Sequence, residues 1–562
     1  MSVTRSTPDT TTTAPRSSMA TATSAATGSN RTDLPTQGTE SAPAQQADSG
    51  TAPFRLDREH KIVFASLMLG MFVASISQTI VGPALPQIVA DLGGMAHYSW
   101  VATAAMLVSA VVVPVVGKLS DLYGRKTFYL AGLVIFMVGS VVSGLAGSFW
   151  MLVAGRAIQG AGMGTLMPLS QTIIGDIIPA RQRGKYQGLM GAVFGVTSVA
   201  GPLAGGVITD HLGWRWLFFT ILPVGLLALA FVARYMHLPH QRREAKIDVA
   251  GIITLSVAMV SILLATSWGG TTYPWVSAQV LGLYAVGLVG ALAFVAVELR
   301  ASEPLLPLRL FRNSVFSWSN VAGLGVAMVM FGSIIYIPVF AQGVLGVDAT
   351  QSGLILMPMM LGLIVMGILT GLLVTRTGHY KPFMLTGIAI MALGVFLLTR
   401  LSETSSAWAL FGSMAVVGVG LGMAMQQYTL VVQNVVARRD LGVATATTQF
   451  SRNIGSTVGI AVYGSIMTGG LGAAVAAHLP ASMRDQAAQQ ASGMDVGSVL
   501  DPSSLGNVPP VVEEALRAGL ADQLHNAFMI GLPILVLVFI ATAMIKHVPL
   551  RETLEDAPRD HG

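Results

Sequence analysis

The chain has 562 residues, of which 53% are hydrophobic and only 10% charged, and its mean hydropathy is +0.66. This composition is typical of a polytopic membrane protein and disfavours a set of soluble domains. The net charge is +5, and the Lys and Arg residues lie mainly between apolar runs, so we expect no nucleic-acid partner. The absence of cysteine excludes disulfides and cysteine-based metal or redox sites.

The chain opens on a polar segment, residues 1–54, that is rich in Ser, Thr, Ala and Pro. Such a segment has too few large apolar side chains to offset the entropy of ordering. We therefore expect a disordered tail on the cytoplasmic side of the membrane.

Fourteen apolar runs of about 20 residues follow, each long enough to cross the hydrocarbon core of a bilayer. Their centres lie near residues 73, 108, 137, 162, 196, 225, 258, 289, 329, 364, 391, 419, 455 and 536. Alternate connections carry clustered Lys and Arg, so the positive-inside rule predicts that both termini are cytoplasmic. A long outer loop is predicted over about residues 469–525, with amphipathic stretches typical of short surface helices.

An internal repeat divides these spans. GKLSDLYGRK (117–126) follows the second span and GLLVTRTGHYK (371–381) follows the tenth, and both have two glycines seven residues apart with a basic residue close behind. The repeat predicts an all-α membrane protein of two six-helix bundles, residues 55–240 and 301–546. Two linker helices would occupy residues 241–300, and a cytoplasmic tail residues 547–562.

Five short motifs, in order along the chain, resemble one family. GKLSDLYGRK resembles the signature between the second and third spans of the major facilitator superfamily, LVAGRAIQGAGMG (152–164) its fourth-span arginine motif, and VAGPLAGG (199–206) its fifth-span antiporter motif. TIVGPALP (79–86) and WRWLFF (214–219) narrow the resemblance to fourteen-span drug:proton antiporters of the EmrB/QacA type. It covers about residues 60 to 546.

The resemblance implies the major facilitator fold and export of lipophilic drugs or natural products by alternating access. The energy source would be the proton gradient, with no cofactor, and the location the plasma (inner) membrane of a bacterium. We expect a small-molecule substrate, protons and the lipid bilayer as partners, and a monomer as the working unit.

The motif GKLSDLYGRK is the expected conformational gate. Gly117 and Gly124 permit a tight turn and close helix approach, while Asp121 can face Arg125, Lys126 or a helix N-terminus of the other bundle. A carboxylate there would latch one access state and release it when protonated. The alternative is a solvated turn without a role in gating. The second copy has Thr375 in place of the acid.

The antiporter motif places Gly201, Pro202, Gly205 and Gly206 within the fifth span. Small residues let neighbouring helices approach, and proline removes a backbone donor and bends the helix. The resemblance adds an association of this motif with export.

Charged and polar side chains recur inside other spans. Arg156 lies about six residues, or roughly 9 Å, inward from Trp150, and at that depth a cation costs on the order of 2–3 kcal/mol unless it is paired or hydrated. The resemblance implies a proton-relay or substrate-facing role, and the alternative is a structural arginine bound to carbonyl groups. On span 13, Arg452 lies near mid-membrane in a polar stripe with Thr445, Gln449 and Ser456.

The charge of Arg452 favours a water-filled cavity over a packed hydrogen-bonding seam. Further candidates for the cavity wall are Gln159, Met163, Gln426, Gln427 and Gln449. Amides in a bundle suit cavity lining and helix contact equally, and methionine suits an adaptable wall or plain core filling.

The first span contains the cavity candidates Ser77, Gln78 and Thr79, and here an acid is missing. Relatives commonly read LD-x-TIV, whereas this chain has Ser77 in the acid's place. The carboxylates nearest the spans fall at their outer ends (Asp91, Asp210, Asp348) or inner ends (Asp121, Asp176, Asp248, Glu298). A cavity holding Arg156 and Arg452 without an acid offers no counter-charge to a lipophilic cation, so we expect a neutral, zwitterionic or anionic cargo.

The missing acid leaves Asp121 as the first candidate for proton coupling. Other functions on the same fold remain open, namely export of a lipid or cell-envelope metabolite and import of a nutrient. An enzyme is not expected, because nucleophiles, bases and metal ligands are not clustered, and we predict neither catalytic nor metal-binding residues.

Overall fold

The structure is a computed structural model, and it describes residues 57–93, 100–237, 247–269, 273–347, 349–402, 405–480 and 510–552. The predicted N-terminal tail, the middle of the outer loop and most of the C-terminal tail lie outside these residues. Within them the prediction of an all-α membrane protein is confirmed, since helices make up almost the whole of the described chain and no strand is present.

The described part of the chain contains fourteen main helices, at the positions predicted for the membrane spans. They are α1 Arg58–Thr79, α2 Trp100–Tyr123, α3 Arg125–Gly144, α4 Phe149–Ile177, α5 Ala180–Leu212, α6 Leu222–Tyr235, α7 Val249–Trp268, α8 Ala278–Glu298, α9 Ser314–Gly343, α10 Ala349–Thr377, α11 Lys381–Thr399, α12 Ala407–Val435, α13 Leu441–His478 and α14 Pro510–Met544.

Thirteen of the fourteen segments have the length and hydropathy of membrane spans, when the short helix Trp216–Phe219 is counted with α6. The exception is the 29-residue α4, whose hydropathy is lowered by polar side chains such as Arg156 and Gln159. Both side chains are buried against neighbouring helices, so α4 lies inside the bundle.

Local sequence sets several helix ends. Ser148, Ser277 and Asn313 accept backbone N–H groups in the first turns of α4, α8 and α9, which satisfies donors that a helix start leaves free. Gly124 and Gly378 precede α3 and α11 with φ angles of 101° and 73°, a region that glycine adopts without strain.

Three hydrophobic cores hold the helices together. One joins α1 to α6 and a second joins α9 to α14. The third packs α7 and α8 against α2, α9 and α13, so the two inserted helices lie beside the junction of the bundles.

The two copies of the repeat make equivalent contacts. Lys126 at the start of α3 donates to the Ala233 carbonyl of α6 at 2.9 Å, and Lys381 at the start of α11 donates to the Ala543 carbonyl of α14 at 2.8 Å. Each bundle is thus closed by the same lysine-to-carbonyl bond between its third and sixth helices.

The end of the molecule that carries these lysines, here called the basic end, is the end predicted to be cytoplasmic. At the opposite end the predicted outer loop is shorter than expected. Residues 469–478 belong to α13 and residues 510–525 to α14, and buried Leu516, Leu520 and Leu524 join the core around Val475. The amphipathic stretch therefore extends a long helix, because its apolar face has a partner helix to pack on.

Residues 545–552 form a strap across the basic end. The Val548 N–H donates to the Tyr380 hydroxyl at 2.8 Å, Asn434 pairs with the backbone of Pro549 and Arg551 at 3.0 Å each, and the Arg181 N–H donates to the Arg551 carbonyl at 3.0 Å. The strap thus runs from α11 and α12 of one bundle to α5 of the other.

Candidate functional site

A cavity of about 260 Å³ lies between the two bundles, and its wall is largely apolar. Side chains from α1, α2, α4, α5, α7, α9, α10, α12 and α13 form that wall. Eight methionines contribute to it: Met71, Met106, Met163, Met167, Met190, Met259, Met330 and Met425. Thioether side chains are flexible and polarisable, so this wall can adapt to apolar groups of different shape.

Polar groups occupy limited parts of the wall. Gln78, Gln426, Gln449 and Asn453 contribute amides, and Arg452 contributes a guanidinium. No carboxylate is present among the described residues of the lining. The described part of the chain also holds no group of three metal-ligating side chains.

The predicted cavity residues divide into two sets. Gln78, Met163, Gln426, Gln449 and Arg452 line the cavity. The other candidates lie in contacts between helices: Ser77, Gln159, Gln427 and Arg156 are buried, and Thr79 is half-buried.

Thr79 shows why neighbouring positions separate in this way. Its hydroxyl donates to the Thr197 carbonyl of α5 at 3.0 Å, while Gln78, one residue earlier, is exposed on the cavity side of α1. Adjacent helical residues point about 100° apart, so one of them packs against α5 and the other faces the cavity.

Arg156 is bound to carbonyl and hydroxyl oxygens. Its Nε donates to the Val101 carbonyl at 3.1 Å, and its Nη1 donates to Gln159 Oε1 at 2.6 Å and to the backbone and side-chain oxygens of Ser77 at 3.3 and 3.2 Å. Gln159 in turn donates to the Ser140 hydroxyl at 2.7 Å. This geometry matches the structural alternative, because the guanidinium joins α1, α2 and α4 without lining the cavity.

Ser77, which stands in the place of the expected acid, lies directly against this guanidinium. An aspartate at position 77 would meet Arg156 first, since the Ser77 hydroxyl already lies 3.2 Å from Nη1. The sequence could not distinguish this contact from a cavity-facing position.

The gate residues cluster where the bundles meet at the basic end. Asp121 accepts hydrogen bonds from Arg125 Nη2 at 2.9 Å and from the N–H groups of Gly442 and Val443 at 3.1 and 3.0 Å. The two N–H groups belong to the first turn of α13, where a helix carries partial positive charge. Through these three bonds the carboxylate of Asp121 joins α2 to both α3 and α13. Arg125 also pairs with Asp176 of α4 at 2.8 Å.

The glycines of the repeat allow close crossing of helices at the same end. A Cβ at Gly117 would overlap Ala446 of α13, and a Cβ at Gly371 would overlap the Gly184 carbonyl of α5. These two crossings, α2 with α13 and α10 with α5, are equivalent in the two halves. Together with the Asp121 bonds they close the basic end.

The antiporter motif packs against the end of the first span. A Cβ at Gly201 would overlap the Thr79 hydroxyl, and one at Gly205 would overlap the Ile80 carbonyl, whereas one at Gly206 would meet nothing within 4 Å. Pro202 lies inside the continuous helix α5. The motif is therefore a packing surface for α1 on one face only.

Sequence reasoning missed an amide cluster near the gate. Gln187 of α5 donates to Gln433 of α12 at 3.3 Å, and Gln433 donates to the Gln171 carbonyl of α4 at 3.1 Å and to the Thr445 hydroxyl at 3.0 Å. The polarity of these residues was visible in the sequence, but their meeting depends on how the bundles dock.

Comparisons with known proteins agree with this geometry. The family model of the Major Facilitator Superfamily matches residues 67–460. The Multidrug transporter protein MdtP of Bacillus subtilis is 39% identical over 506 residues, covering 87% of this chain and 93% of the relative. Multidrug resistance protein 3 of Bacillus subtilis is 37% identical over 409 residues, covering 73% and 80%. The crystal structure of the human organic anion transporter MFSD10 (TETRAN) has a TM-score of 0.56 at 14% identity, covering 85% of this chain and 100% of that one.

Proposed function

The chain belongs to the major facilitator superfamily, and from this premise we propose that it is a proton-coupled exporter of lipophilic small molecules, including drugs. It is a multi-pass membrane transporter. The names of its Bacillus relatives describe multidrug transport and multidrug resistance, which supports a broad substrate range. The clustered Lys and Arg of alternate loops support a bacterial plasma membrane orientation with both termini in the cytoplasm. We further propose that it works as a monomer without a cofactor.

The observation that carries this proposal is a methionine-walled cavity between two equivalent bundles. At the basic end the two bundles are held together by non-covalent contacts that can separate. The contacts that close the basic end include the hydrogen bonds of Asp121, the glycine-lined helix crossings and the strap, while each bundle keeps a hydrophobic core of its own. Rocking of one bundle against the other would then expose the cavity to each side in turn.

Proton coupling is best assigned to the gate, because the described cavity lining has no carboxylate. Protonation of Asp121 would remove the negative charge that strengthens its bonds to Arg125 and to the start of α13. Proton binding would therefore weaken the closure of the basic end. The proton gradient would act on the conformational equilibrium, and the substrate would bind elsewhere.

Reconstitution of the purified full chain into liposomes tests the proposal. With an acidic interior, a lipophilic probe should accumulate inside while an internal pH dye reports proton exit, and nigericin, which collapses the gradient, should abolish both signals. Probe movement that ignores nigericin would contradict proton coupling. In whole cells, expression should lower probe accumulation, and a rise would instead indicate import.

A further inference from the structure

Arg452 differs from Arg156 in having no partner among the described residues. It lies in α13 and lines the cavity, where its side chain passes close to Gly323 of α9. Among the described residues it makes no hydrogen bond and no ion pair, whereas Arg156 makes four hydrogen bonds. Arg452 therefore brings a guanidinium with five N–H donors to a cavity whose described lining supplies no counter-charge.

The surroundings of Arg452 favour an anion over other ligands. The polar groups that share its cavity are neutral amides and hydroxyls, including Gln78, Gln426, Gln449 and Asn453. A buried cation is costly unless it is paired or hydrated, so a ligand that brings a negative charge relieves that cost while a cationic ligand adds to it. Guanidinium also binds carboxylate through two parallel hydrogen bonds.

From these observations we propose that Arg452 is the anion-binding group of the cavity and that the exported substrates are small amphipathic organic acids. The carboxylate pairs with Arg452, and the neighbouring amides satisfy its remaining oxygen lone pairs. The apolar body of the acid packs on the methionine wall. This inference rests on the proposed export function and narrows its substrate class.

A matched ligand series tests the assignment. The ligands are 1-naphthaleneacetate, 1-naphthaleneacetamide and 1-naphthalenemethylamine, which share an apolar body and carry a negative, neutral or positive group. Equilibrium dialysis with the detergent-solubilised full chain should give the acetate at least tenfold tighter binding than the amine. Arg452→Gln should weaken acetate binding at least tenfold and acetamide binding less than threefold, because only the acetate loses a pair of opposite charges.

Two variants complete the test. Arg452→Lys should retain part of the preference for the acetate, since it keeps the charge but loses the bidentate geometry. Arg400→Gln is the matched control, because Arg400 is an exposed arginine at the end of α11 that stacks on Phe396. It should leave all three affinities unchanged.

The outcomes separate this inference from the export proposal. Equal binding of the amine and the acetate by the wild type, or equal loss of acetate and acetamide in Arg452→Gln, overturns the assignment of Arg452 even if lipophilic probes are exported. Arg452-dependent acetate binding without gradient-driven transport supports the anion site and contradicts export.

Discussion

Replacing Asp121 with asparagine should destabilise the closed state of the basic end. The side chain is 4% exposed, and its two oxygens accept three hydrogen bonds, from Arg125, Gly442 and Val443. Asparagine has nearly the same shape but carries no charge and only one acceptor oxygen. In any orientation its NH₂ group faces an N–H donor, so at least one bond becomes a repulsive contact.

The magnitude follows from the bonds that change. A hydrogen bond to a charged group contributes about 1.5–3 kcal/mol, and Asp121→Asn loses at least one while weakening the others. We therefore expect the closed state to lose about 2 kcal/mol relative to the state in which the basic end is open. At 1.36 kcal/mol per factor of ten, the ratio of open to closed molecules should rise roughly 30-fold.

Spin-label distances can measure this ratio, because the chain contains no cysteine that would have to be removed. Thr127→Cys in α3 and Arg376→Cys in α10 place labels on exposed positions of the two bundles at the basic end. Double electron–electron resonance in lipid nanodiscs should show a longer distance gaining population in Asp121→Asn.

The second copy of the repeat supplies the matched control. Thr375 stands at the position of Asp121, but its hydroxyl donates only within its own helix, to the Gly371 carbonyl at 2.9 Å. Thr375→Val should therefore leave the distances unchanged. The latch hypothesis is refuted if Asp121→Asn, folded and reconstituted, gives the distance distribution of the parent. Loss of substrate-induced proton release in the same variant would further link Asp121 to coupling.

Four further variants probe packing contacts through thermal unfolding or proteolysis. Gly205→Ala should lower the free energy of unfolding by about 1–3 kcal/mol, because its Cβ overlaps the Ile80 carbonyl. Gly206→Ala should leave the melting temperature nearly unchanged, and equal effects of the two variants would contradict the one-sided packing of the motif. Arg156→Met should lower the free energy of unfolding by about 1.5–3 kcal/mol, and with it the melting temperature, because the buried oxygen partners of Arg156 lose their donor. Asn434→Ala removes two bonds to the strap, about 1 kcal/mol each, so trypsin should cleave within the strap faster than in the parent.

Much of the fold was readable from the sequence, because a bilayer demands long apolar helices and the chain marks their ends with charges. The fourteen segments and the repeat of glycines and lysines follow from such local patterns. The length of the outer loop does not follow from such patterns. Residues 510–525 have the pattern of a surface helix, and only the folded structure shows that their apolar face packs against Val475. The strap was equally invisible, because its bonds join residues more than a hundred positions apart.

The candidate site was only half readable for a different reason. Polarity within a span identified Arg156 and Arg452 alike, but it could not tell a side chain that joins helices from one that faces a cavity. That difference depends on the rotation of each helix and on what packs against it. Here rotation turns Arg156 toward backbone oxygens and turns Arg452 toward the cavity, where no residue that the structure describes pairs with it.

The separation of Asp121 from the cavity has a kinetic consequence. Asp121 lies eight residues beyond Val113, the last cavity-lining residue of α2, which corresponds to about 12 Å along the helix. Substrate and proton therefore do not compete for one group, unlike a cavity acid that must release its proton to bind a cationic drug. Lowering the pH on the basic side should then change substrate KM only through the gate equilibrium, so the change should level off once Asp121 is protonated. A proportional rise in KM with proton concentration would instead show that the coupled proton binds in the cavity.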